Sequence, residues 1–197
     1  MNWYKKAQEE YTFFHGTDSP PFTEFNPSKA TKGEQHYNPL GDAMYVTDKP
    51  EFAKMFGKNV YDVKIPKNAK IKRISPSKAE SAIRDIIKRA LEKVGIDYWQ
   101  TDIGFRIQLR KLLENARWSP YDAIIESSEL VKIEYQNKIN TEEYMNWVSK
   151  LANQKFSKFD AVIFIGTNNP NDIYIGETPT KEILIFNKSF QKVFQPN

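Results

Sequence analysis

Tyr11-Thr12-Phe13-Phe14-His15 is a short, mostly aromatic run that stops against Gly16, Asp18, Ser19, Pro20 and Pro21. Aromatic residues bounded by turn formers read as a buried strand, with His15 as its last residue. Two further runs follow. Met44 to Thr47 is a second short strand, and Asn59 to Ile65 alternates as a third, ended by Pro66. Between them, Phe52, Ala53 and Phe56 keep helical spacing over Lys49 to Phe56, and Gly57 stops the turn. The stretch from Phe22 to Asp42 contains two Asn-Pro pairs and two glycines and reads as a long irregular loop.

The middle of the chain changes period. Ser75-Pro76-Ser77 with Glu80 resembles a capping box, and Ala82, Ile83, Ile86, Ile87, Ala90, Leu91 and Val94 carry a helix that Gly95 ends. A second helix is expected from about Ile103 to Ala116 and a third from near Thr141, carrying Tyr144, Trp147, Val148 and Leu151. No Gly/Ser/Pro linker brackets these helices, so residues 77–153 read as a helical insertion within one domain spanning 1–197. Strands return afterwards: Phe159 to Ile165 is nearly all apolar, a polar turn covers Gly166 to Asp172, and Ile173 to Gly176 and Glu182 to Phe186 follow. Strands at both ends with helices between them predict an α+β fold.

Composition narrows the chemistry. With 40% hydrophobic and 27% charged residues the chain has the material for a core. It has no cysteine, which excludes disulfides and thiolate metal sites, and two histidines, His15 and His36, argue against a histidine-rich metal centre; no metal is expected. No apolar stretch follows the two lysines of MNWYKKAQEE, so neither a signal peptide nor a membrane span is expected, and the location implied is cytoplasmic. The net charge of +4 is dispersed. Its densest stretch, Lys64, Lys67, Lys70, Lys72, Arg73 and Lys78, could meet nucleic-acid phosphates, but lysines protecting a strand edge are the commoner arrangement. Neither a Gly-x-Ser-x-Gly elbow nor a phosphate-cradling glycine motif is present, so triad hydrolases and conventional Rossmann or P-loop sites fall away. What remains is a set of polar residues at strand ends: His15, Gly16 and Thr17, Tyr45 with Thr47, and Glu182.

In order and spacing these pieces resemble the ADP-ribosyltransferase superfamily, in particular its His-Tyr-Glu branch of poly(ADP-ribose) polymerases and diphtheria-type toxins. That family opens its site with aromatic-His-Gly-Ser/Thr, as in Phe13-Phe14-His15-Gly16-Thr17. Its Gly-x-x-x-Tyr-x-[Ser/Thr/Ala] strand and following Ala-x-x-Tyr helix resemble Gly41 to Thr47 and Ala53 to Phe56, with Phe56 where tyrosine is common. Val60-Tyr61-Asp62-Val63, Phe159-Asp160-Ala161-Val162-Ile163 and the closing Glu182-Ile183-Leu184-Ile185-Phe186-Asn187 are similar to later strands, the middle one to phage and bacterial relatives.

The resemblance implies a split β-sheet core and NAD as co-substrate. It implies Glu182, His15 and Tyr45 as the catalytic set, with Glu182 stabilising the charge that develops on the ribose as nicotinamide leaves. His15 would bind the adenosine ribose, the Gly16 backbone the carboxamide, and Tyr45 the nicotinamide ring, with Phe56 on its second face; Thr17 and Thr47 would line the same site. ADP-ribose would pass to a protein, nucleic-acid or small-molecule acceptor. Thr180 and His15 depart from the arginine-modifying branch, and the residue set of RNA 2′-phosphotransferases is not found. The insertion, with Trp99, Trp118, Tyr121 and Trp147, is expected to select the acceptor and the flanking strands to handle NAD. Blander roles stand beside these: His15 as a hydrogen-bonded strand end, Tyr45 and Phe56 as core, and Glu182 as an edge residue paired with Lys181 or Lys188. Glu177, an odd number of residues before Glu182, is expected on the opposite face. A non-catalytic binding module of phage or bacterial origin is the alternative function.

Overall fold

A computed structural model describes residues 10–26, 39–117, 119–135, 137–165 and 181–194. The turn expected at 166–172, the strand expected at 173–176, and His36, Trp118 and Glu177 lie outside the described residues. Among the described residues the chain is α+β, with six strands and five helices. The strands are β1 (Glu10–Thr17), β2 (Met44–Thr47), β3 (Asn59–Pro66), β4 (Ile71–Ile74), β5 (Ala161–Phe164) and β6 (Glu182–Ile185). The helices are α1 (Pro50–Ala53), α2 (Pro76–Lys93), α3 (Ile103–Glu114), α4 (Pro120–Tyr135) and α5 (Thr141–Phe156). No helix among the described residues is long and apolar enough to cross a membrane.

The strands hydrogen-bond into one sheet in the order β3-β1-β2-β6-β5-β4, antiparallel throughout except for the parallel pair β4–β5. The sheet is continuous where a split one was expected, but it is thin at one seam: β1 and β2 share a single registered pair, Phe14 with Thr47. By contrast, β1 pairs with β3 over its full length. β1 also extends two residues beyond His15, to Thr17. Only residues 67–70 join β3 to β4, the two edge strands. The five residue steps from Pro66 to Ile71 reach at most about 18 Å, whereas the five strand spacings of a flat sheet would separate its edges by roughly 24 Å. The sheet therefore curls.

Each face of the curled sheet carries its own core. On one face Val162, Phe164, Leu184 and Ile74 pack against α2 to α5; on the other Phe13, Val63, Ile65, Ile163, Ile183 and Ile185 pack beneath Phe22, Phe25 and Phe190. This double coverage explains the almost uninterrupted apolar run in β5, all four residues of which are buried. The expected helical insertion is the crossover between the parallel neighbours β4 and β5, a connection such pairs require. Lys64 is exposed on edge strand β3, and Lys72 and Arg73 on edge strand β4, an arrangement that discourages pairing with other chains.

Two helix starts differ from the sequence reading. The N-cap of α2 is Ser75 and makes no side-chain cap bond, so Glu80 lies too far into the helix to close a capping box. Glu80 is instead buried and accepts from Arg84 and, at 2.5 Å, from Arg117 Nε. The second difference is α4, which the sequence reading did not anticipate. Ser119 stands before Pro120 and takes the N–H of Asp122 on its hydroxyl at 3.1 Å. That is a helix start with Pro in the first turn and a serine cap.

Candidate functional site

The site grows out of the β2–β6 ladder. Tyr45 lies opposite Leu184 and Thr47 opposite Glu182. Directly opposed residues in antiparallel strands project from the same face, so Tyr45, Thr47 and Glu182 share the helix-covered side of the sheet. A clip fixes their register: Lys181 donates its N–H to Asp48 Oδ1 at 3.0 Å and its ammonium to Oδ2 at 2.6 Å. Lys181 is thus the partner of Asp48, and neither it nor Lys188 serves Glu182.

Glu182 is held by the start of α4. Ser119 Oγ donates to Glu182 Oε1 at 2.5 Å, and the Tyr121 N–H donates to Oε2 at 3.3 Å. The Tyr121 ring meets the Tyr45 ring edge-on at 5.3 Å. The Tyr45 hydroxyl accepts the Leu40 N–H at 3.1 Å, and burial, above all, pushes its phenol well above the usual value. Burial likewise pushes the Glu182 carboxyl up to about 7, against the lowering effect of its bonds to Ser119 and Tyr121 and alongside a smaller raising contribution from Asp122. The residue is not sealed; part of its surface stays accessible.

These contacts change what removal of the carboxylate would do to folding. Glu182 supplies the acceptor for an otherwise unbonded N–H in the first turn of a 16-residue helix. Because its carboxyl is raised from 4.5 to about 7, the unfolded chain ionises first as pH rises. Its contribution is full below 4.5 and is lost as pH climbs through about 7. Wild type should therefore lose up to about 3 kcal/mol relative to Glu182→Gln between pH 4.5 and 8. Urea unfolding of both proteins across that range checks this, and a constant difference would contradict it.

His15 occupies the other side of the seam. Since Phe14 opposes Thr47, alternation turns His15 to the opposite face, where its ring meets Phe22 at 5.9 Å and Phe25 at 6.0 Å. Its Nδ1 lies 2.8 Å from the Tyr45 carbonyl. A carbonyl only accepts, so Nδ1 carries the proton and Nε2 is the acceptor of the neutral ring. Burial lowers the pKa of His15, and the bond to Tyr45 partly offsets this. The structure thus joins His15 to Tyr45 through the backbone and Tyr45 to Glu182 across a shared face, but it does not place all three on one surface.

The remaining expected ligands of NAD are engaged locally. Thr17 Oγ1 accepts the Ser19 N–H at 3.1 Å, and the buried Thr47 accepts that of Lys49 at 3.4 Å. The missing Cβ of Gly16 serves packing: a Cβ there would lie 1.7 Å from the Ala53 carbonyl oxygen, so its space is taken by α1 and the room expected for a carboxamide is not open on that side. Phe56 does not flank Tyr45. It is 60% exposed and packs edge-on against Phe52. The aromatic that does face Tyr45 is Tyr121, which brings the helical crossover against the strand residues of the candidate site.

Ser119 escaped the sequence reading, and Tyr121, expected as an acceptor contact, was not linked to Glu182 or Tyr45. Their signal was the helix start Ser119-Pro120-Tyr121-Asp122; their distance from Glu182 along the chain hid the contact. Among the described residues no three His, Asp or Glu side chains gather closely enough to hold a metal ion. Compared with protein-family models, curated proteins and solved structures, the chain matches none of them.

Proposed function

We propose that the chain is an NAD-dependent ADP-ribosyltransferase that cleaves the nicotinamide–ribose bond and passes ADP-ribose to an acceptor. The observation that carries this reading is the Glu182 carboxyl, held in place by Ser119 and Tyr121 beside the Tyr45 ring. A fixed carboxylate in a partly buried setting stabilises positive charge on a ribose far better than one in water. Each oxygen accepts one protein hydrogen bond, which leaves lone pairs for a ribose hydroxyl. Tyr45 and Tyr121 offer aromatic surface for nicotinamide, and the neutral His15 offers an acceptor at Nε2 for a hydroxyl.

The ionised carboxylate is the active form, so the rate should rise with pH along a limb centred near 7, the value to which burial raises Glu182. Incubation with labelled NAD and a cell lysate, scoring nicotinamide release and label transfer from pH 5 to 9, tests both the activity and the limb. No release by wild type above that of Glu182→Gln would end the enzyme reading. A binding module is the second reading, favoured by Met55 and Phe56, which are 68% and 60% exposed on one turn. Calorimetric binding of NAD without nicotinamide release would support it.

A further inference from the structure

We infer that Ser119 is the positioning residue of Glu182, fixing the carboxyl at the start of β6 through its hydroxyl and thereby making the first turn of α4 part of the catalytic apparatus. The inference rests on the reading of Glu182 as the catalytic carboxylate. Three observations carry it. Ser119 Oγ bonds Glu182 Oε1 at 2.5 Å while also accepting the Asp122 N–H, so the helix cap sets the serine rotamer that aims the donor. The Tyr121 N–H takes the other oxygen, so the carboxyl is held at two points and cannot turn about its own axis without losing one. The chain is anchored on both sides of the cap, since Arg117 before it binds the buried Glu80 of α2 and Pro120, Ala123 and Ile124 after it are buried. An element packed this firmly behaves as a wall.

The titratable and charged groups around the carboxyl are Tyr45 from β2, Tyr121 and Asp122 from α4, and the Asp48–Lys181 pair at the strand ends. Both phenols are raised and stay neutral in the working range, and Asp122 opposes ionisation of Glu182. Ser119 and the Tyr121 N–H are the groups whose hydrogen bonds favour the charged carboxylate.

The test uses the full chain with Ser119→Gly, Ser119→Ala and Ser119→Thr. Glycine is the central variant because it is tolerated at an N-cap at little cost, and alanine complements it by removing the hydroxyl alone. The Glu182 carboxyl is titrated by carbon-13 NMR, its signal assigned by its absence from Glu182→Gln, and nicotinamide release is followed against pH in parallel. The glycine and alanine variants should lose about tenfold in kcat, as expected for one charge-assisted hydrogen bond. Their KM for NAD should stay within about twofold, because the serine does not itself hold the substrate. The NMR midpoint and the rate limb should both move up by about one pH unit, and threonine should restore both. An unmoved NMR midpoint in the glycine and alanine variants overturns the inference whatever the activity. Faster release by either variant also overturns it, because the first turn of α4 would then obstruct the site. A moved midpoint in a protein whose wild type releases no nicotinamide leaves Ser119 as the residue that orients Glu182 and removes the ADP-ribosyltransferase reading.

Discussion

Glu182→Gln is expected to cut nicotinamide release from NAD by about 10²-fold or more, the loss seen when one preorganised charge-stabilising group is removed from a water-poor site. Glutamine is the informative substitution because its carbonyl can still accept from Ser119 or from the Tyr121 N–H, the two donors that hold the native carboxyl. What it lacks is the charge. Alanine would confound the measurement, since both donors would lose their acceptor at the start of α4. A Gln variant within a few-fold of wild type, with intact circular dichroism, would show that no step depends on charge at position 182.

The largest effect on folding is expected at Gly16. An added Cβ would stand 1.7 Å from the Ala53 carbonyl oxygen and 2.6 Å from its carbon, both backbone atoms that cannot swing aside. Gly16→Ala must therefore push α1 off β1 or bend β1 away from α1, and a loss of about 3 kcal/mol or more is expected in urea unfolding. Gly95→Ala is the control. Its backbone has φ of +83, but a Cβ there meets nothing within 4 Å, so only the left-handed strain of roughly 1 kcal/mol is at stake. Equal losses at the two positions would mean that the approach of β1 to α1 is softer than its geometry indicates.

Much of this architecture is legible in the sequence because the signals are local. Met44 to Thr47 comes out at its observed bounds, and the helices beginning at Ile103 and Thr141 start where their apolar period starts. α4 was missed for a physical reason. Its buried stripe runs Ala123, Ile124, Ser127, Ser128, Val131 and Tyr135, and the two serines break the apolar period. Ser128 is tolerated inside because its hydroxyl bonds the Ile124 carbonyl of the same helix at 2.7 Å. Five of the six described strands were legible, but β4 (Ile71–Ile74) was not, and neither was the sheet order, since β6 must find β2 across most of the chain. The site shows the same division. Tyr45, Thr47 and Glu182 stand out as polar residues on strands, and the ladder brings them to one face. Their supports, Ser119, Tyr121 and the Asp48–Lys181 clip, are long-range contacts without a periodic trace.

The place of β6 sets the order in which the molecule can be completed. β6 lies between β2 and β5 yet follows every other described strand in the chain. While a ribosome is still short of residue 182, β2 and β5 each present an unpaired edge made of Met44-Tyr45-Val46-Thr47 and Ala161-Val162-Ile163-Phe164. Such apolar edges invite pairing with other nascent chains, and the long-range closure that buries them is slow by nature. Translation pauses or truncations upstream of β6 should therefore yield aggregates in place of partly active protein. The strand that brings Glu182 also closes the sheet, so a chain gains its candidate catalytic carboxylate and its protection from self-association in one step.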